Sequence, residues 1–125
     1  HWLGIPVDAI EAELARAGRA GGPYAGAQAW IGLKPQALLT PYIELRMMLE
    51  RLKPGPGETW ADLGCAYGRL GFVMARHAPE ARFVGLELVA ERVRAGSESL
   101  ARFAPAGFRW SLETADLSGA ALPLP

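Results

Sequence analysis

Three acids and one bend of small residues are the parts of this 125-residue sequence whose types and spacing could do chemistry. The bend is Asp62-Leu63-Gly64-Cys65-Ala66-Tyr67-Gly68-Arg69. With small residues at positions 64, 66 and 68 the backbone can turn sharply, and a ligand can approach without meeting a side chain. A helical pattern follows directly, so free amide protons and the positive end of a helix dipole point at whatever the bend holds. That ligand is anionic or rich in hydrogen-bond acceptors. The acids are Asp62, Glu87 and Asp116, each standing where a strand-like run ends. A single acid in such a place is most often a helix-starting or turn residue. It is the joint placement of the three that points to a site.

Two nucleotide-binding loops can be compared with the bend. A phosphate cradle of the nucleotide triphosphatase kind is excluded, because the lysine followed by serine or threonine is missing. The dinucleotide fingerprint fails when started at Gly64, since its third glycine falls on Arg69. Started at Ala66, the set Ala66, Gly68 and Gly71 fits. That register needs a strand running through Asp62 and Gly64, which buries a carboxylate and puts a flexible residue in a strand interior. It keeps an NAD(P)-binding oxidoreductase fragment as the alternative reading. Cys65 at a helix start is a candidate reactive thiol, but no nearby His or second Cys supports nucleophilic chemistry, so a small loop residue is expected. Arg69 either contacts a carboxylate or extends into water.

The elements that must position these residues follow from periodicity. Thr59 to Leu63 reads as a strand, and Leu70, Val73, Met74 and His77 form a helical stripe that Ala78-Pro79 breaks. Arg82 to Leu86 is a second strand. A helix from about Val89 to Phe103 carries Val89, Val93, Gly96, Leu100 and Phe103 on one face, with Arg92, Arg94 and Arg102 on the solvated side. Phe108 to Glu113 is the third strand, and Trp60 and Trp110 are core residues of the strands that hold them. Strand, helix, strand, helix, strand predicts an α/β fold with a parallel sheet, whose ligands bind at the carboxyl ends of the strands.

Upstream, Thr40-Pro41 starts a helix with Thr40 as cap, and Leu45, Met48, Leu49 and Leu52 form its apolar stripe before Lys53-Pro54-Gly55-Pro56-Gly57. Asp8 and Glu11 have capping-box spacing for a short amphipathic helix with Ile10, Leu14 and Ala17 on one side, stopped by Gly21-Gly22-Pro23. Gly18 to Pro35 is a Gly/Ala/Pro-rich linker anchored by Tyr24, Trp30 and Ile31. Residues 1–39 therefore form a helical extension with its linker, and 40–125 the α/β domain.

An acid two residues before the first glycine, then small residues at alternate positions, resembles the first motif of class I S-adenosylmethionine-dependent methyltransferases, with Ala66 where the middle glycine usually stands. The resemblance implies a Rossmann-like three-layer fold of which residues 40–125 carry the first three strands, the cofactor-binding part. It implies that the cofactor's methionine end lies along Asp62, Gly64, Cys65, Ala66 and Gly68. It further implies that Glu87 accepts from both ribose hydroxyls, and that Asp116, with Leu117 beside it, marks the adenine pocket. Thr40-Pro41-Tyr42 and the run around Asp62 look most like the histone-lysine methyltransferases of the telomere-silencing type and their bacterial relatives. By that likeness Thr40 and Tyr42 help enclose the methionine end. The family's substrate-facing motif follows a fourth strand, expected after Pro125, so the acceptor, protein lysine or a small molecule, stays open and no residue here is assigned to catalysis. That fourth strand pairs with the first, so an open edge at Thr59 to Leu63 is expected to invite self-association. A non-catalytic module that keeps the fold is the remaining alternative.

Thirteen basic residues balance thirteen acidic ones, which lacks the electrostatic footprint of a nucleic-acid binder. One cysteine forbids an intramolecular disulfide, and no Cys or His cluster has metal-ligand spacing. No apolar run approaches membrane-spanning length and no leader-like start is present, so a cytoplasmic protein is expected. The start without methionine and the ending Leu122-Pro123-Leu124-Pro125 read as a piece of a longer chain.

Overall fold

The computed structural model describes residues 3–19, 21, 22, 24 and 31–118. In chain order these form helix α1 (Val7–Arg19), the single turn α2 (Pro35–Leu38), helix α3 (Tyr42–Leu52), strand β1 (Thr59–Leu63), helix α4 (Arg69–His77), strand β2 (Arg82–Glu87), helix α5 (Ala90–Phe103) and strand β3 (Arg109–Thr114). The strands pair in parallel in the order β1-β2-β3, with Asp62 beside Gly85 and Gly85 beside Leu112. Parallel neighbours need a crossover, and α4 and α5 are those crossovers. This is the Rossmann-like α/β fold.

Both crossover helices approach the sheet through a glycine. A Cβ on Gly71 of α4 would stand 2.6 Å from the Phe83 ring, and one on Gly96 of α5 would meet the Tyr67 carbonyl at 2.5 Å and Leu112 at 2.9 Å. Phe83 pairs with Trp110, two residues before Leu112, so Phe83 and Leu112 share a face of the sheet and α4 and α5 lie on that face together. Under α3 and α4, Leu45, Leu49, Val73, Met74, Phe83 and Phe108 make one buried cluster. Burying Met74 and Phe83 completely stabilises by roughly 1.5–3 kcal/mol each, so this cluster fixes where β1 and its bend sit. A second cluster joins Leu3, Ile5 and Leu39 to Ala66, Tyr67, Phe72 and Leu100, bringing the N-terminal residues onto the bend.

Several local expectations are corrected. Helix α1 begins at Val7, so Asp8 lies in its first turn instead of capping it, and Glu11 is buried instead of closing a capping box. Pro41, not Thr40, holds the cap position of α3, where its carbonyl receives the Glu44 and Leu45 amides at 3.1 and 3.2 Å and no side-chain cap bond forms. Pro35 opens α2 and so belongs to a helix instead of the linker. Leu52, His77 and Phe103 lie in the last turns of their helices and are exposed, because those turns project past the elements they were expected to cover. Strands β2 and β3 each run one residue further than expected, to Glu87 and Thr114. Trp30, Pro23, Gly26, the linker alanines at 20, 25, 27 and 29, and the Leu122–Pro125 ending lie outside the described residues.

Candidate functional site

Strand β1 stops at Leu63 because the next residues cannot continue it. Gly64, Ala66 and Gly68 all take positive φ, +79°, +48° and +74°, and Gly68 is the N-cap of α4. The left-handed conformation costs an alanine about 1–2 kcal/mol. Buried hydrogen bonds offset it: the amides of Gly64 and Cys65 donate to the Leu86 carbonyl at 2.8 and 3.0 Å, and the Ala66 amide donates to Glu87 Oε2 at 2.9 Å. The bend is thus riveted to the end of β2.

Outside the bend lies a cavity of about 410 Å³, lined by Thr40, Asp62, Gly64, Cys65, Ala66 and Arg69 over an apolar floor that includes Leu45, Met48 and Trp60. Its size falls within the roughly 300–1,000 Å³ of small-molecule sites. A Cβ on Gly64 would meet nothing within 4 Å, so the wall there is bare backbone. Burial, then repulsion from Glu87, raises the Asp62 carboxyl above its ordinary pKa. A cationic ligand group beside Asp62 would relieve both effects. The Cys65 thiol is buried and its pKa is pushed up chiefly by that burial, with Asp62 and Glu87 adding to it, the opposite of an activated nucleophile. Arg69 stacks over the Tyr42 ring at 4.7 Å and donates to the Thr40 carbonyl at 3.1 Å, so it does not extend freely into water. Tyr42 itself lines two neighbouring cavities and not this one.

Glu87 ends β2 one strand over from Asp62. It is only 6% exposed, and Oε1 accepts the Val89 amide at 3.0 Å while Oε2 holds Ala66. Asp116 lies two residues beyond β3 and is exposed; its Oδ1 accepts the Ser118 amide at 2.9 Å and the Ser118 hydroxyl at 2.6 Å, which hold its pKa below the ordinary carboxylate value. Leu117, beside it, is half-buried. The Ala115 amide donates to the Glu87 carbonyl at 2.9 Å, so this segment leaves the sheet beside the end of β2. All three acids therefore stand along the carboxyl rim of the sheet. Only Asp62 opens into the cavity of the bend; Glu87 is enclosed behind Ala66, and Asp116 closes its own turn.

The N-terminal segment packs against the residues that follow Glu87. Leu14 of α1 packs with Val89, joined by Tyr24, Ile31 and Leu88. The Tyr24 hydroxyl accepts the Ala90 amide at 3.0 Å and donates to Glu91 at 2.7 Å, tying this segment to the start of α5. Arg92 is not on the solvated side of α5: it is 2% exposed and paired with Glu11, which is 4% exposed. Periodicity carried the signal. Val89, Arg92, Val93 and Gly96 fall at i, i+3, i+4 and i+7, as do Val7, Ile10, Glu11 and Leu14, so each charge stands on an apolar stripe. Two opposite charges on two buried stripes are able to satisfy each other.

The shifted dinucleotide register does not match this geometry, because β1 ends before Gly64 and Ala66 lies in a turn. Among the described residues no group of His, Cys, Asp and Glu could hold a metal ion, and no helix is long and apolar enough to cross a membrane.

Fold and bend together define a Rossmann-like α/β domain in which a tight turn with three positive-φ residues follows the first strand. Among solved structures, coclaurine N-methyltransferase bound to N-methylheliamine and SAH superposes on 65% of this chain with a TM-score of 0.57 and 20% identity. The YcgJ protein from Bacillus subtilis superposes on 68% with a TM-score of 0.52 and 19% identity. The chain spans 23% and 34% of the lengths of those two proteins. No family model and no curated protein sequence matches it.

Proposed function

We propose that this chain binds S-adenosylmethionine as the cofactor-holding part of a methyltransferase. One observation carries the reading: Asp62, the bare backbone of Gly64, and Ala66 line a single cavity at the carboxyl end of β1, and the same bend is hydrogen-bonded to Glu87 at the end of β2. A structural neighbour with this fold is an N-methyltransferase described with SAH, the demethylated form of that cofactor. The residues fit such a group. Asp62 offers a carboxylate to an ammonium, Gly64 and Cys65 a wall without projecting side chains, and Glu87 lone pairs not used by Ala66 and Val89 for a pair of hydroxyls. Asp116 and Leu117 flank the adenine end, and Thr40 closes the methionine end. Glu87 is only 6% exposed, so admitting an adenosine to its carboxylate requires the residues packed around it to shift.

When bound, the cofactor supplies a methyl group on a positively charged sulfur, an already good leaving group. The chain's own contribution is alignment and exclusion of water. For the acceptor, the narrower likeness at Thr40-Pro41-Tyr42 suggests a protein lysine, with a small molecule as the other reading. A single buried cysteine suits a reducing cytoplasmic setting. Calorimetric titration with SAH and with NAD in parallel tests the reading: heat is expected with SAH and none with NAD. Binding of NAD alone would reassign the chain to the oxidoreductase class, and binding of neither would leave the fold as a non-catalytic module.

A further inference from the structure

Glu11 of α1 and Arg92 of α5, 81 residues apart, form a bidentate pair: Nε donates to Oε1 and Nη2 to Oε2, both at 2.8 Å. The Tyr67 hydroxyl donates to the same Oε1 at 2.6 Å. The remaining nitrogen, Nη1, stands 3.6 Å from Glu87 Oε1, an ion-pair distance too long for a good hydrogen bond. One guanidinium is thus shared unequally by two buried carboxylates. Glu11 holds the fork through two directed bonds, and Glu87 keeps its own oxygens on the Ala66 and Val89 amides.

The inequality has a consequence for Glu87. A guanidinium prefers two parallel bonds to one carboxylate plane, and such charge-assisted bonds are about twice as strong as neutral ones. Were Glu11 uncharged, Glu87 would be the carboxylate lying against the fork, and a side-chain rotation could close the 3.6 Å gap. The Glu87 oxygens would then turn toward Arg92, releasing the Ala66 and Val89 amides.

We propose that Glu11 is a positioning residue for Glu87: by holding the Arg92 fork it keeps the Glu87 carboxylate on the bend, with lone pairs left for the ribose hydroxyls of the cofactor. The ribose part rests on the S-adenosylmethionine reading; the arrangement of the carboxylates does not. In this way α1 completes the site from outside the α/β core.

The test uses the full chain carrying Glu11→Gln, Glu11→Gln with Arg92→Met, and Tyr67→Phe, with amide hydrogen exchange read by NMR and SAH titrated by calorimetry. In Glu11→Gln, exchange at Ala66 and Val89 should rise about tenfold and SAH should bind about tenfold more weakly, as expected for bonds to a charged group. The double variant, with no guanidinium to compete, should return both quantities toward wild type. Tyr67→Phe removes a bond to Glu11 but no charge, and should leave the two amides as they were. Unchanged protection of Ala66 and Val89 in a folded Glu11→Gln protein overturns the proposal. So does a double variant that behaves like the single one, or a Tyr67→Phe protein that loses protection equally. If wild type fails to bind SAH, the cofactor reading falls while the amide pattern still decides the role of Glu11.

Discussion

Replacing Gly64 by alanine separates what the bend does for folding from what it does for binding. Gly64 has φ +79°, yet a Cβ there would touch nothing within 4 Å, so the folding cost is conformational alone. For a non-glycine residue in the left-handed region that is about 1–2 kcal/mol. In a domain of this size each kcal/mol lowers Tm by roughly 3–5 °C, so a fall of about 3–10 °C is expected and the protein stays folded at 25 °C. The new methyl group stands on the wall of the cavity that Asp62 and Ala66 share. Overpacking of this kind costs about 1–3 kcal/mol, a loss of about 5- to 150-fold in SAH affinity. Gly85 provides the contrast: its Cβ would stand 2.4 Å from Leu112 and 2.7 Å from the Cys65 sulfur, so Gly85→Ala should damage folding through packing. Circular dichroism melts paired with SAH titration decide the matter. A folded Gly64→Ala protein with wild-type affinity would remove the bend from the binding site.

Three further outcomes follow from the electrostatics and the sheet edge. Burial raises the folded-state pKa of Asp62 above its unfolded value, so its ionisation lowers stability as pH climbs through that interval; Asp62→Asn should raise Tm at pH 7 and lose the advantage near pH 3, and an equal effect at both values would contradict the assignment. Cys65, buried with its pKa driven up, should react with a thiol reagent only slowly until the protein is denatured, and fast labelling of the native chain would show that the thiol is reachable. Among the described residues β1 is an outer strand of the sheet and Leu63 is 52% exposed, so the chain should self-associate at high concentration and Leu63→Lys should reduce it; light scattering from a single monomeric species of the wild type would argue against that edge.

The strands and crossover helices were legible because their signals are local. Thr59 to Leu63 needs only its own alternation and the glycine that follows, and the observed β1 has those bounds. The helix after the bend begins at Arg69, as the small residues before it require. Less legible were features set by partners distant in the chain. Glu11 matched a capping box by spacing, but its carboxylate is engaged by Tyr67 and Arg92, 56 and 81 residues away. Arginine is seldom buried, which on sequence grounds puts Arg92 in water, yet it is buried here because a carboxylate meets both branches of its fork. Strand ends read from the sequence put the three acids on one rim, but they do not tell which acid faces open space.

From residue order alone came the parallel α/β pattern, the bend at Gly64 to Gly68 and the position of each acid at a strand terminus, since backbone preference and hydrophobic period act between neighbours. Only the assembled molecule decided that Asp62 faces a cavity while Glu87 is folded in against Ala66, Val89 and Arg92. The physical reason is that a charge leaves water only where other elements bring enough donors to it, and those donors come from helices far apart in sequence.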